Sequence, residues 1–330
     1  MELLYLIEKI RTPFLDWFFS LITHLGEETV FLVLAIFFFW CVSKREGYYI
    51  LTVGLVGTVV NQLLKLAFRI PRPWVKDPSF TIVESARAEA TGYSFPSGHT
   101  QNVAGTLGGV GRYSKSLPVR IISIALIVLV AFSRMYLGVH TPLDVGVSLI
   151  VAAVLVFGLY PMFKTEERFE KFMPYVVLGS LLLSIAFLMY FPLFSDGAHE
   201  AENLASGMKN AFTLAGCTAG LAIVYALDSK YIKFDTKAPW YAQIIKLVVG
   251  LGVIIGIKVG LSSPLVSLFG NEYIARMVRY LLIVLFAGAV WPLTFKYFAK
   301  MRIKPLDTFG AWVASIFKKR DTDTAQAENK

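Results

Sequence analysis

Apolar runs and short polar interruptions alternate along almost the whole chain. The runs are Ile121–Phe132, Leu143–Leu159, Val176–Met189, Ile244–Ile257 and Tyr280–Val290. A helix crossing the hydrocarbon layer needs roughly 20 mostly apolar residues, and several of these runs reach that length with their flanks. The pattern predicts an all-α, polytopic transmembrane helix bundle of about nine spans: 28–43, 48–68, 98–112, 119–138, 143–163, 173–193, 208–228, 243–268 and 275–297. Ahead of them, Leu3–Leu25 sets Trp17 and Phe-rich turns among scattered charges, the pattern of a helix lying in the membrane interface.

Composition removes the soluble alternative. The chain is 56% hydrophobic and 17% charged, with a mean hydropathy of +0.61, whereas a soluble domain keeps about a quarter of its residues charged. The net charge of +9 invites a nucleic-acid reading. The basic residues argue against it, because they cluster in short segments between apolar runs: Lys44 and Arg45; Arg112, Lys115 and Arg120; Lys164, Arg168 and Lys171; Lys230, Lys233 and Lys237; and, beyond the last run, Lys296 to Arg320. Basic loops stay cytoplasmic, so nucleic acid is not the expected partner and the loops Pro71–Phe95, Val139–Pro142, Ser195–Asn203 and Ser267–Glu272 face outward. Met1–Thr12 carries no signal-peptide cleavage pattern. Cys41 and Cys217 lie inside apolar runs, as small buried residues do.

Three polar segments converge on the outward face under this topology. They are Lys65-Leu-Ala-Phe-Arg69-Ile-Pro71-Arg72-Pro73, Phe95-Pro96-Ser97-Gly98-His99-Thr100 and Ser133-Arg134-Met-Tyr136-Leu-Gly138-Val-His140-Thr-Pro142-Leu-Asp144. Lys65, Arg72 and Arg134 suit the spread charge of a phosphoryl group in transfer. Ser97 and Gly98 open a helix, where free N–H groups and the dipole favour an anion, and Gly98 admits a phosphate close to the backbone. His99 and His140 are candidates for a nucleophile and an acid. Asp144, four residues beyond His140, is expected on the same helix face, holding one imidazole nitrogen and leaving the other free to attack.

Together the segments resemble the signature of the type 2 phosphatidic acid phosphatase family, Lys-x6-Arg-Pro, Pro-Ser-Gly-His and Ser-Arg-x5-His-x3-Asp, with no departure between Lys65 and Asp144. The resemblance implies His140 as nucleophile, Asp144 as its partner and His99 as general acid. It implies phosphate binding by Lys65, Arg72, Ser97, Gly98 and Arg134. It also implies a phosphatase acting on a membrane lipid phosphate or diphosphate through a phosphohistidine, without metal or cofactor, and the sequence offers no carboxylate cluster to hold a metal. Undecaprenyl diphosphate is the leading substrate, with phosphatidate, phosphatidylglycerol phosphate and sphingoid-base phosphates beside it. A phosphotransferase and a lipid transporter are the rivals. The active site is expected at the outer face of the cell membrane, with a bell-shaped pH profile.

The chain divides on this reading into an interfacial helix at 1–27, a catalytic core at 28–164, additional membrane helices at 165–299 and a cytoplasmic tail at 300–330. Oligomeric state and the role of the last four spans stay open. Lys258, inside an apolar span, is read as paired or substrate-facing, and Arg276 and Arg279 as extending the basic surface. Arg69, Lys76, Glu84, Arg87 and Glu89 are read as solvated loop charges, and His24 and His199 as interfacial or loop residues.

Overall fold

A computed structural model of the chain describes residues 1–194 and 201–310; His199, the loop around it and the end of the tail lie outside them. Helices, including short 3-10 and π segments, account for the described regular structure, and no strand occurs among the described residues. The elements are α1 (Glu2–Glu8), α2 (Pro13–Thr23), α3 (Glu28–Phe37), α4 (Lys44–Phe68), α5 (Pro73–Lys76), α6 (Gly98–Tyr113), α7 (Leu117–Tyr136), α8 (Pro142–Phe163), α9 (Glu166–Phe194), α10 (Ala201–Leu227), α11 (Trp240–Gly260), α12 (Ser262–Phe269), α13 (Glu272–Leu285) and α14 (Phe295–Lys300).

Seven helical stretches among the described residues are long and apolar enough to cross a membrane, or eight if the bent α2–α3 pair, turned by 49°, counts as one span. The remaining difference from nine is α6. It has only 16 residues and carries His99, Gln101, Asn102 and five glycines, so it runs in the bundle without the apolar length of a span.

The N-terminal region is two helices, not one. The segment Ile10–Thr12 breaks them, and the Thr12 side chain caps α2 by accepting from the Leu15 N–H. Leu3, Leu6, Phe14, Trp17 and Leu21 point outward, while Leu4 and Ile7 are buried against the loop between α5 and α6. Tyr5 donates to Asp77 at 2.7 Å, and the Arg11 guanidinium donates to Tyr136 O and Thr81 O, both at 3.0 Å. This half-buried pair therefore clamps the long loop between α5 and α6.

The main core gathers aromatic side chains from α3, α4, α8, α9, α10 and α14, including Phe31, Tyr48, Tyr49, Phe163, Phe169 and Phe295. At the basic end of the bundle Arg45 joins Glu166 at 3.1 Å, and Lys44 joins the buried Asp228 at 2.9 Å. In the C-terminal half α10 and α13 approach closely: a Cβ on Gly216 would fall 2.2 Å from Met277 O, so any larger residue there would force the two helices apart. Small residues at helix contacts are what hold membrane bundles together, since lipid leaves little hydrophobic drive between helices.

Candidate active site

All three polar segments meet at one end of the bundle, where α4 and α7 finish and α6 and α8 begin. Arg69 ends α4 in the left-handed conformation, with φ of 48°. That turn sends the chain into Ile70–Pro73 and carries Arg72 back over the helix ends. Lys65, Arg72, Ser97, Arg134, His140 and Asp144 are all buried, none more than 8% exposed, while Gly98 and His99 are partly accessible.

Lys65 and Arg72 are held by backbone carbonyls, and Arg134 by a hydroxyl. Lys65 Nζ donates to Tyr93 O at 2.5 Å and Ser94 O at 3.4 Å. Arg72 uses its whole fork: Nη2 to Thr91 O at 2.7 Å, Nε to Gly92 O at 3.2 Å, and Nη1 to Val139 O at 3.1 Å. Arg134 Nη1 donates to Thr23 Oγ1 at 2.5 Å, which ties α7 to the end of α2. A cation inside a membrane protein costs several kcal/mol unless such partners surround it. Among the described residues none of these three has a carboxylate within ion-pair distance, so the end of the bundle keeps a surplus of positive charge.

His140 lies between two different neighbours. Its Nε2 is 3.0 Å from Arg72 Nη1, which can only donate, so Nε2 presents its lone pair there. Its Nδ1 is 3.4 Å from Asp144 Oδ2. Burial, with Arg72, Arg134 and Lys65 close by, pushes the His140 imidazole well below its usual value and favours the neutral ring.

The helical-face argument for Asp144 is corrected in its mechanism. His140 precedes α8, which starts at Pro142 behind the cap Thr141. The two side chains meet because of a capping box: Thr141 N–H donates to Asp144 Oδ2 at 2.7 Å, and Asp144 N–H to Thr141 Oγ1 at 3.3 Å. Ser94 Oγ donates to the same Asp144 oxygen at 2.6 Å. Ser94 stands outside all three motifs, and nothing in its sequence neighbourhood marked it.

Ser97 caps α6, its hydroxyl accepting from Thr100 N–H at 3.4 Å. Its own N–H reaches Asp144 O at 3.1 Å, and Ser148 Oγ reaches Ser97 O at 2.8 Å, which fixes the α6 start against α8. A Cβ on Gly98 would meet no protein atom within 4 Å, so the fold makes no demand for glycine there and any demand comes from what approaches. At Gly26, in contrast, a Cβ would fall 2.9 Å from His99 Cβ, so the turn after α2 packs directly on the second histidine.

His99 Nε2 is buried and has no hydrogen-bond partner among the described residues; the carboxylate facing it is Glu89, at 3.5 Å. Glu89 also comes within 3.9 Å of His24 Nδ1, which contacts Glu27. One imidazole and two carboxylates from two segments, His24 and Glu27 in the turn after α2 and Glu89 in the loop between α5 and α6, thus gather within 4.8 Å of one another, a cluster the linear spacing concealed. Glu84 and Arg87 pair with each other at 2.7 Å on the surface, as solvated loop charges do. Lys258 is exposed on α11, within the electrostatic reach of Glu28, and Arg276 donates to Thr213 on α10 at 2.7 Å. Among the described residues of the C-terminal half the buried cation is Lys246, on which the sequence pattern makes no claim.

Comparison with known proteins extends this picture. The family model described as the PAP2 superfamily matches residues 45–168, and one described as the PAP2 superfamily phosphatase transmembrane extension matches residues 212–302. A probable sphingosine-1-phosphate phosphatase of Dictyostelium discoideum is 32% identical over 66% of this chain and 54% of its own length. Phosphatidylglycerophosphatase B of Bacillus subtilis is 33% identical over 49% of this chain and 81% of its own length. The undecaprenyl-diphosphatase BcrC of the same organism is 31% identical over 41% of this chain and 65% of its own length. The chain spans about half the length of the sphingosine phosphate phosphatases it matches. With two PAP2 models matched in order along a multi-pass membrane chain and with these relatives, the protein belongs to the PAP2 superfamily.

Proposed function

We propose that the protein hydrolyses the phosphate or diphosphate of a membrane lipid through a phosphohistidine on His140, at the outward face of a cell membrane. The observation that carries this reading is the opposed pair of contacts on His140: Asp144 faces Nδ1 while Nε2 faces Arg72 beside the other two cations. Nε2 attacks phosphorus in line, and Lys65, Arg72, Arg134 and the first amides of α6 stabilise the charge spreading over the phosphoryl oxygens. His99 gives its proton to the departing oxygen as the bond to phosphorus breaks. It then takes a proton from the water that cleaves the phosphohistidine, and inorganic phosphate leaves.

The outward placement rests on the basic residues at the opposite end of the bundle, Lys44, Arg45, Arg112, Lys115 and Lys164. Undecaprenyl diphosphate and sphingoid-base phosphates head the substrates to test. The first shares its reaction with a relative matched in the core. The second shares its reaction with relatives whose similarity runs on into the extension, 66% of the chain against 41%.

The test is phosphate release from these lipids, phosphatidate and phosphatidylglycerol phosphate in detergent with EDTA. His140→Ala is expected to lose at least about a thousandfold in kcat, the scale of removing a nucleophile, while eluting as the wild type does on size exclusion. Release unchanged in that variant would refute the mechanism. The pH profile supplies a second check. The lowered His140 keeps its lone pair available through mildly acidic pH, so the acidic limb belongs below the ordinary imidazole value of about 6.5. The alkaline limb marks the loss of the His99 proton.

A further inference from the structure

His99 faces an unfavourable field for a proton donor. The positive groups that reach it come from several elements: Arg134 from α7, Arg72 from the loop after α4, Lys65 from α4 and His24 from the turn after α2, with His140 beside it across the site. A general acid must nevertheless hold its proton at working pH and release it only to the leaving oxygen. Burial first, and these cations after it, hold the His99 imidazole well below its usual value.

One carboxylate opposes them at contact range. Glu89 Oε2 stands 3.5 Å from His99 Nε2, the nitrogen that is buried and has no hydrogen-bond partner among the described residues. Its other oxygen faces His24, and its field also reaches Arg134. The side chain of Glu89 is 39% exposed, so it sits at the rim, between solvent and the buried ring. Glu27, the other acid of the cluster, contacts His24 and is one residue further from the acid histidine in that chain of contacts. Glu89 belongs to none of the three sequence motifs.

We propose that Glu89 is the positioning residue of His99: its carboxylate stabilises the imidazolium and keeps Nε2–H at the mouth of the site, where the leaving oxygen arrives. This rests on the phosphatase reading above. When substrate enters, the ester or anhydride oxygen competes with Glu89 for that proton. As the bond to phosphorus breaks, the proton passes from Nε2 to oxygen, and His99 is left neutral beside the carboxylate. In the second half-reaction the water proton returns to Nε2, where Glu89 again stabilises it. Glu89 stays ionised throughout, so every proton is accounted for on His99.

Two readouts test it, one of which needs no turnover. The chain has four histidines, so ring resonances of histidine-labelled protein in detergent can be assigned to His99 through the signal lost in His99→Asn. In Glu89→Gln the His99 titration is expected to move down by at least about one pH unit, the scale set by removing an opposite charge at contact distance. In Glu89→Asp most of that shift is recovered. Glu27→Gln moves it less than Glu89→Gln does. In turnover, the alkaline limb of kcat/KM moves down by the same amount in Glu89→Gln, so the loss falls on the alkaline side of the profile. An unmoved His99 titration in Glu89→Gln, or an equal shift in Glu27→Gln, overturns the proposal. If the wild type releases phosphate from no lipid, the phosphatase reading fails by itself, and the titration still decides whether Glu89 governs His99.

Discussion

The two halves of the membrane bundle bury polar side chains for different ends. In the first half, the buried charges of α4, the loop after it, α7 and the α8 start all converge on one end, where Lys65 and Arg72 hold backbone carbonyls and Arg134 holds the Thr23 hydroxyl. Arg72 alone donates to three carbonyls and faces His140. In the second half they are dispersed, each tying one helix to a neighbour. Lys246 Nζ holds Trp40 O at 2.6 Å across to the π-turn after α3, Arg276 holds Thr213, and Asp228 holds Lys44. A converged set of cations without carboxylate partners presents charge to a ligand. A dispersed set spends its hydrogen bonds on the fold. Polar residues inside a membrane are therefore functional evidence only when their contacts leave some capacity unused.

Breaking the converged set should cost activity in proportion to contact with His140. Asp144→Asn keeps the size and the Thr141 contact but removes the charge beside Nδ1, and a loss of about a hundredfold to a thousandfold in kcat is expected, since orientation and charge stabilisation go together. Ser94→Ala removes only the hydroxyl that donates to Asp144 at 2.6 Å. The carboxylate keeps Thr141 and His140, so a loss of about tenfold is expected, on the scale of one charge-assisted hydrogen bond. Steady-state phosphate release on the preferred lipid measures both. Equal losses would mean that Ser94, not Asp144, orients the ring, and would reverse the ranking of these two contacts.

Much of this division is legible in the sequence. Lys65, Arg72, Ser97, Gly98, His99, Arg134, His140 and Asp144 stand in the three segments that carry the family resemblance, and the structure brings them to one end of the bundle. Spacing records order along the chain, however, and Ser94 and Glu89 reach the site only by the folding of the loop between α5 and α6, so no periodicity marks them. The Asp144 contact was anticipated for the wrong reason: a residue four positions on shares a face only within a helix, and His140 lies before the helix start. The α2–α3 bend escaped for a related cause. Apolar patterning continues through Leu25 and resumes at Val30, while the interruption at Gly26–Glu28 is set by packing against His99. Lys246 was missed because an isolated cation in an apolar run carries no sign of whether a carbonyl waits for it.

The smallest effect belongs to the dispersed set, and it sharpens the contrast most. Lys246→Met keeps the length of the side chain and its packing over the Phe295 ring, which now lies 4.3 Å from Nζ. It removes the donor to Trp40 O at 2.6 Å and to Thr236 O at 3.1 Å. Thr236 O retains Gln243 Nε2 at 2.8 Å, so a single buried carbonyl loses its partner. That costs about 1–3 kcal/mol of stability, offset in part by no longer burying an ammonium. A modest fall in the thermal unfolding midpoint in detergent is expected, with kcat/KM within about twofold of wild type at temperatures well below it. The readout is activity per folded molecule beside the melting curve. A large fall in kcat with an unchanged midpoint would show that the C-terminal half acts on the chemistry, and the division between a converged catalytic set and a dispersed structural one would have to be withdrawn.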